Sequence, residues 1–245
     1  SEDFATDVAV MVEAARMHPS VDSKRVGVIG HSEGGLIGPM VAVNDDTLAF
    51  VIMLAGPGVA GNELLPVQLA MLAQSNGAEQ ELIDVVVHES MSLYEMMEVG
   101  ANDEELREQM ALLVAAQCVI TEVEISEEDI ANAIDQGLET MRSPWMQFFL
   151  FYDPAPVLSQ ITCPVLAMNG TLDVQVSSKQ TLPAIEMAMT NAVGALTIVE
   201  LDGLNHLFQP ATSGSVSEYS VIETTFDQGA LEKMSEWLME VTDVD

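Results

Sequence analysis

The chain has 245 residues, 49% of them hydrophobic and only 19% charged, so it is long and apolar enough to bury a substantial core, and disorder is excluded over most of it. Its 39 acids against 7 bases give a formal charge of -32, which argues against a nucleic-acid partner, because such binding rests on neutralising phosphates, and against anionic membrane surfaces. Self-repulsion of this size is screened by dissolved salt, so the charge is that of a protein from a saline habitat or of an ordinary acidic protein with high solubility.

Phe4, Val8, Met11, Val12 and Ala15 recur at helical spacing, which predicts an amphipathic helix over 2–17, ended by His18-Pro19. Arg25 to Ile29 (RVGVI) is short and β-branched, the pattern of a buried parallel strand. A small-residue helix over 35–44 and a second buried strand over 48–55 follow. The stretch 62–145 lacks strand signals and carries helix starts at Asn102, with Glu105 three residues on, and at Ser126, with Asp129 three residues on. Residues 79–140 hold seventeen acids and one base, Arg107, so this insert carries much of the charge on a solvated face. The alternation of strand and helix resumes with strand 165–168, helix 180–192, strand 196–201 and a last helix over 230–241. Cys118 and Cys163 lie in no metal-type spacing, and no apolar run reaches the roughly 18–20 residues of a membrane span.

Gly30-His31-Ser32-Glu33-Gly34 spells Gly-x-Ser-x-Gly between the first strand and the helix after it. A sharp strand-to-helix turn of this kind lifts a serine above the sheet, its glycines permitting strained backbone and close approach of strand and helix. The pentapeptide alone is a weak signal; its place between these two elements strengthens it. A serine hydroxyl needs a base, an acid that orients the base, and donors for the oxyanion that forms. Strand 165–168 runs into Asn169-Gly170-Thr171-Leu172-Asp173, and strand 196–201 into Asp202-Gly203-Leu204-Asn205-His206, so Asp173 and His206 are the candidate acid and base. Asp153 and Asp202 are rival acids, one before its strand and one only four residues from His206. His18, His31 and His88 are read as structural. Gly56-Pro57-Gly58-Val59-Ala60-Gly61 matches the dinucleotide pattern Gly-x-Gly-x-x-Gly, but it leads into the long insert and not directly into a helix with an acid about 20 residues on, so it is read as a loop. Met91, Met96, Met97 and Met110 suit either helix packing or an adaptable apolar pocket.

GHSEGGLIGP (30–39), SPWMQFFLFYDPAP (143–156), CPVLAMNGTLDVQV (163–176), LDGLNHLFQ (201–209), and the stretch from SEY (217–219) through IETTF (222–226) resemble bacterial α/β-hydrolase carboxylesterases of the serine aminopeptidase-like group. The resemblance implies an α/β fold of the α/β-hydrolase type, the C-terminal part of a mostly parallel sheet flanked by helices, with an inserted helical cap. It divides the chain into core 1–61, cap 62–145 and core 146–245. It implies a Ser32, Asp173, His206 triad cleaving small-molecule carboxylic esters, with the amide of Glu33 as one oxyanion donor and no metal or organic cofactor. Serine peptidase or amidase activity and a non-catalytic binding protein of the same shape are the alternatives. Strands and a second oxyanion loop that precede the first helix in that group have no counterpart here, so the sequence is expected to be an N-terminally shortened piece, weakly active by itself. Compartment and oligomeric state are not legible.

Overall fold

A computed structural model describes residues 2–121 and 126–242; residues 122–125 of the expected insert lie outside the described residues. Contacts divide the chain into one unit of residues 1–59 and 153–245 and a second of residues 60–152. The break falls after Val59 and before Asp153, so residues 146–152, grouped by sequence with the second half of the core, go with the helical unit.

In the first unit α1 (Glu2–Arg16), β1 (Val28–His31), α2 (Gly34–Ala42) and β2 (Val51–Leu54) are followed, after the insertion, by the short α8 (Ala155–Leu158), β3 (Val165–Gly170), α9 (Ser178–Met189), β4 (Leu196–Leu201) and α10 (Gln228–Val241). Among the described residues the strands form one parallel sheet in the order β1-β2-β3-β4, with Val51 opposite Val28 on one side and Val165 on the other. The near-continuous apolar runs of β2 and β3 are explained by this central position, since both faces are covered. Val51, Met53, Val165 and Ala167 point into a core with Val12, Val41, Leu182 and Ile185 of α1, α2 and α9. Ile52, Leu54, Leu166 and Met168 point the other way, against Ala230, Met234 and Trp237 of α10.

The first strand differs from expectation. Ser23–Arg25 form a single 3-10 turn, capped by the Asp22 side chain accepting from the Lys24 amide, and the strand begins at Val28 and continues to His31. Pairing in a parallel ladder is made by the backbone, so Gly30 and His31 extend the strand although neither has strong strand preference. The β3 strand likewise runs two residues past the expected end, to Gly170.

The second unit is helical: α3 (Gly61–Ser75), α4 (Gln80–Glu98), α5 (Asp103–Thr121), α6 (Glu127–Arg142) and α7 (Pro144–Phe151). Both expected starts are present. The Asn102 side chain accepts from the Glu104 and Glu105 amides, with the Glu105 carboxylate accepting back from the Asn102 amide at 3.0 Å; Ser126 Oγ accepts from the Asp129 amide at 3.1 Å. Val86, Leu93, Leu106, Met110, Leu113, Ile134 and Leu138 form its core, with Met96 and Met97 packed against it, whereas Met91 is exposed. No helix among the described residues is long and apolar enough to cross a membrane.

Candidate active site

The ladder between β1 and β2 carries one residue past the strand: the Ser32 amide donates to the Leu54 carbonyl at 2.9 Å, after which the chain reverses and α2 opens at Gly34. Ser32 takes φ +56°, a left-handed conformation that costs a non-glycine residue about 1–2 kcal/mol. Ser32 is half-buried, held by the sheet on one side and a helix on the other, in the strand-to-helix turn that the Gly-x-Ser-x-Gly pattern leads one to expect. The turn is closed by glycines, though not quite those expected. A Cβ on Gly30 would lie 1.9 Å from the Gly34 carbonyl oxygen, and one on Gly35 would lie 2.4 Å from the Cα of Gly56, so Gly30 and Gly35 set the close approaches. Gly34 itself has nothing within 4 Å of that position.

Two further loops come to this end of the sheet, one after β3 and one after β4. In the first, Asn169 Nδ2 donates to the Val176 carbonyl at 2.9 Å, pulling the loop back over its own strand. The Asp173 side chain is thereby buried, with Oδ1 accepting from the Gln175 and Val176 amides, each at 2.8 Å, and Oδ2 2.9 Å from Nδ1 of His206. In the second loop, buried Asn205 accepts from the Leu207 and Gln209 amides, each at 3.0 Å, and donates to the Gln209 side chain. His206 is thus mounted in a tight turn whose next-but-one residue, Phe208, is fully buried at φ +58°. Since a carboxylate only accepts, the proton between the pair is on Nδ1, which leaves Nε2 free to accept one. Among the described residues no hydrogen bond joins Ser32 Oγ to His206 Nε2, and catalytic serine–histidine bonds are often long until the reacting complex forms.

His31 joins the elbow to the histidine loop. Its Nε2 is 2.8 Å from the His206 carbonyl oxygen, and the two imidazole rings lie with centroids 4.6 Å apart. Phe208 stands edge-on to His31 at 6.4 Å and stacks on Phe226 at 5.2 Å. Partial burial lowers the pKa of His31 from 6.5, even though the residue retains substantial solvent exposure.

The rival residues are placed elsewhere. Asp153 caps the turn into α8 through the Ala155 amide, and Asp202 accepts from the Thr171 hydroxyl. His18 lies in the turn after α1, where Nδ1 accepts from the Ser20 amide, and His88 lies within α4. Burial pushes the Cys163 thiol up to about 11, which removes it as a nucleophile near neutral pH. The glycines of the dinucleotide-like loop are each occupied by protein: Gly56 meets Gly35, Gly58 meets the Thr181 carbonyl and Gly61 meets the Phe149 carbonyl. No cluster of three or more potential metal ligands occurs among the described residues.

A family model described as BAAT / acyl-CoA thioester hydrolase C terminal matches residues 11–133, half of the chain, including the whole elbow. The chain belongs to this family. With the parallel sheet, membership gives an α/β-hydrolase fold. The family match ends before Asp173 and His206, so those two residues rest on the geometry above. Comparison with curated proteins returns no match. Among solved structures, the chain is similar to acetyl xylan esterase 1 from Thermoanaerobacterium (14% identity, TM-score 0.47, covering 97% of this chain and 52% of that one). It is also similar to a dienelactone hydrolase-type protein from Klebsiella pneumoniae (11%, TM-score 0.46, 96% and 58%) and to a thermophilic esterase (15%, TM-score 0.46, 98% and 73%). The chain thus spans about half the length of the first of these.

Proposed function

We propose that the protein hydrolyses carboxylic esters through a covalent acyl-enzyme formed on Ser32. The observation that carries this reading is the buried Asp173–His206 pair at 2.9 Å, linked by His31 to a strained serine elbow. Nε2 of His206 takes the Ser32 proton as Oγ attacks the acyl carbonyl, and Asp173 holds the tautomer and supports the imidazolium that forms. The Glu33 amide lies at the start of α2, where the helix dipole favours negative charge, and donates to the oxyanion. His206 then returns the proton to the leaving alcohol, and water, activated by the same base, releases the acid. Replacing Ser32 with Ala in the full-length protein should abolish turnover of a short-chain p-nitrophenyl ester with the melt unchanged. Undiminished turnover would end the proposal.

The family description favours a second reading, thioester hydrolysis of an acyl-CoA, by the same steps with a thiolate leaving group. Charge weighs against it: CoA brings several phosphate charges, and of the seven bases Arg16, Arg25, Arg107, Arg142 and Lys233 are already paired with acids. Turnover of an acyl-CoA at the rate of the matched p-nitrophenyl ester would reverse this preference, and a matched aminoacyl amide tests the peptidase alternative.

A further inference from the structure

Resting on the Ser32 reading, we infer that His31, the residue before the nucleophile, is a positioning residue for the catalytic base: its Nε2–H tethers the backbone carbonyl of His206 and its ring braces the imidazole. Four observations meet at this position.

The first is the hydrogen bond itself, 2.8 Å from His31 Nε2 to the His206 carbonyl oxygen, which spans 175 residues of sequence. A carbonyl only accepts, so the proton is on Nε2 of His31. The second is ring contact: the imidazoles lie 4.6 Å apart at 48°, and Phe208 and Phe226 extend the row behind them. The third is what else holds His206. Its Nδ1 is fixed by Asp173, which defines one edge of the ring. The surrounding turn is fixed by Asn205 and Gln209, with Gln209 in turn donating to the Thr224 carbonyl. The His31 bond ties this turn directly to the elbow, so that nucleophile and base are set from one strand end. The fourth is register: Gly30 and His31 are the last ladder residues of β1, paired with Met53 and Leu54, so the tether originates in the rigid sheet and not in a mobile loop.

The charged and titratable groups facing His31 are the His206 ring and the Asp173 carboxylate. Loss of water around His31 keeps it neutral at neutral pH, so the imidazolium that develops on His206 during attack meets an uncharged neighbour. A misplacement of about 1 Å between a base and its nucleophile costs on the order of 100-fold in rate, and that is the scale at stake if the tether is cut.

Three versions of the full-length protein separate the possibilities. His31→Phe keeps a ring and removes the donor; His31→Gln removes the ring and keeps an N–H at about the reach of Nε2; Ser32→Ala removes the nucleophile. With a short-chain p-nitrophenyl ester, His31→Phe should lower kcat by about 10- to 100-fold with KM changed less than about twofold, and should slow fluorophosphonate labelling of Ser32 by the same factor. His31→Gln should recover at least several-fold of that loss. In proton NMR of wild type, the low-field Nδ1–H resonance of the His206–Asp173 pair should be sharp, and in His31→Phe broadened or lost. Unchanged kcat, labelling rate and NMR signal in His31→Phe would overturn the inference, as would equal losses in the Phe and Gln variants. A wild-type protein that neither turns over the ester nor labels, and so does not differ from Ser32→Ala, would instead overturn the serine hydrolase reading on which the inference rests.

Discussion

Replacing Asp173 with Asn changes one atom and should reverse the polarity of the site. Oδ1 of Asp173 accepts two backbone amides, from Gln175 and Val176, each at 2.8 Å. An asparagine must keep its oxygen there, because turning its NH2 toward two N–H donors would leave three donors facing one another in a buried position. Its Nδ2 is then forced toward Nδ1 of His206, where Oδ2 stood 2.9 Å away. Nδ1 must now accept, so the imidazole proton moves to Nε2, the atom that has to receive the Ser32 proton. The same inversion in serine proteases lowers kcat by about 10⁴, and a loss of 10³–10⁴ is expected here. Stability should fall by only about 1–3 kcal/mol, since the backbone bonds survive while charge assistance is lost. Steady-state turnover of a p-nitrophenyl ester, alongside a urea melt, makes the measurement. A folded Asp173→Asn protein within about tenfold of wild-type kcat would refute the assignment of the acid.

Other expectations follow from single contacts. Gly30→Ala places a methyl group 1.9 Å from the Gly34 carbonyl and should abolish labelling of Ser32, whereas Gly34→Ala meets nothing within 4 Å and should leave the melt unchanged or slightly raised; equal effects would contradict the elbow geometry. Arg16 bonds Asp45 at 2.7 Å with side-chain exposures of 12% and 21%. Burial alone would raise Asp45, but its bonds from Arg16 and Thr47 outweigh this and hold it below 3.8, so its contribution is full above pH 3.8 and is lost as pH falls through the lowered value. Arg16→Met should therefore cost about 1–3 kcal/mol in a urea melt at pH 7 and progressively less below pH 3.8; a pH-independent cost would contradict the pairing. The charge of -32 predicts a melting temperature that rises from low to molar salt, and a constant value would remove the saline reading.

The elements that were legible in sequence are those where local chemistry decides. The boxes at Asn102 and Ser126 name their own helix starts, and the apolar runs of β2 and β3 announce burial on both faces. The placement of Ser32, Asp173 and His206 in turns after β1, β3 and β4 was legible because each follows a strand of recognisable pattern. What was hidden depends on tertiary pairing. The end of β1 is set by its partner β2, which no property of Gly30 or His31 advertises. Likewise Gly35, and not Gly34, makes the close approach, because its neighbour Gly56 is 21 positions away in the chain and reaches it only through the sheet. Asn169, Asn205 and Gln209, which mount the acid and the base, are polar residues in loops whose role is visible only once their backbone partners are known. Asn205 is flanked by Leu204 and His206, and nothing local distinguishes it from a solvated turn residue.

If Ser32 is the nucleophile, as proposed, the site of covalent modification reports it. Wild type and Ser32→Ala are each exposed to a fluorophosphonate and digested, and the adduct is mapped by mass spectrometry. A single stoichiometric adduct is expected on the peptide containing Gly30 to Gly34, abolished by Ser32→Ala and greatly slowed by His206→Ala. An adduct on any other residue, or none in a folded, ester-hydrolysing protein, would contradict the proposal.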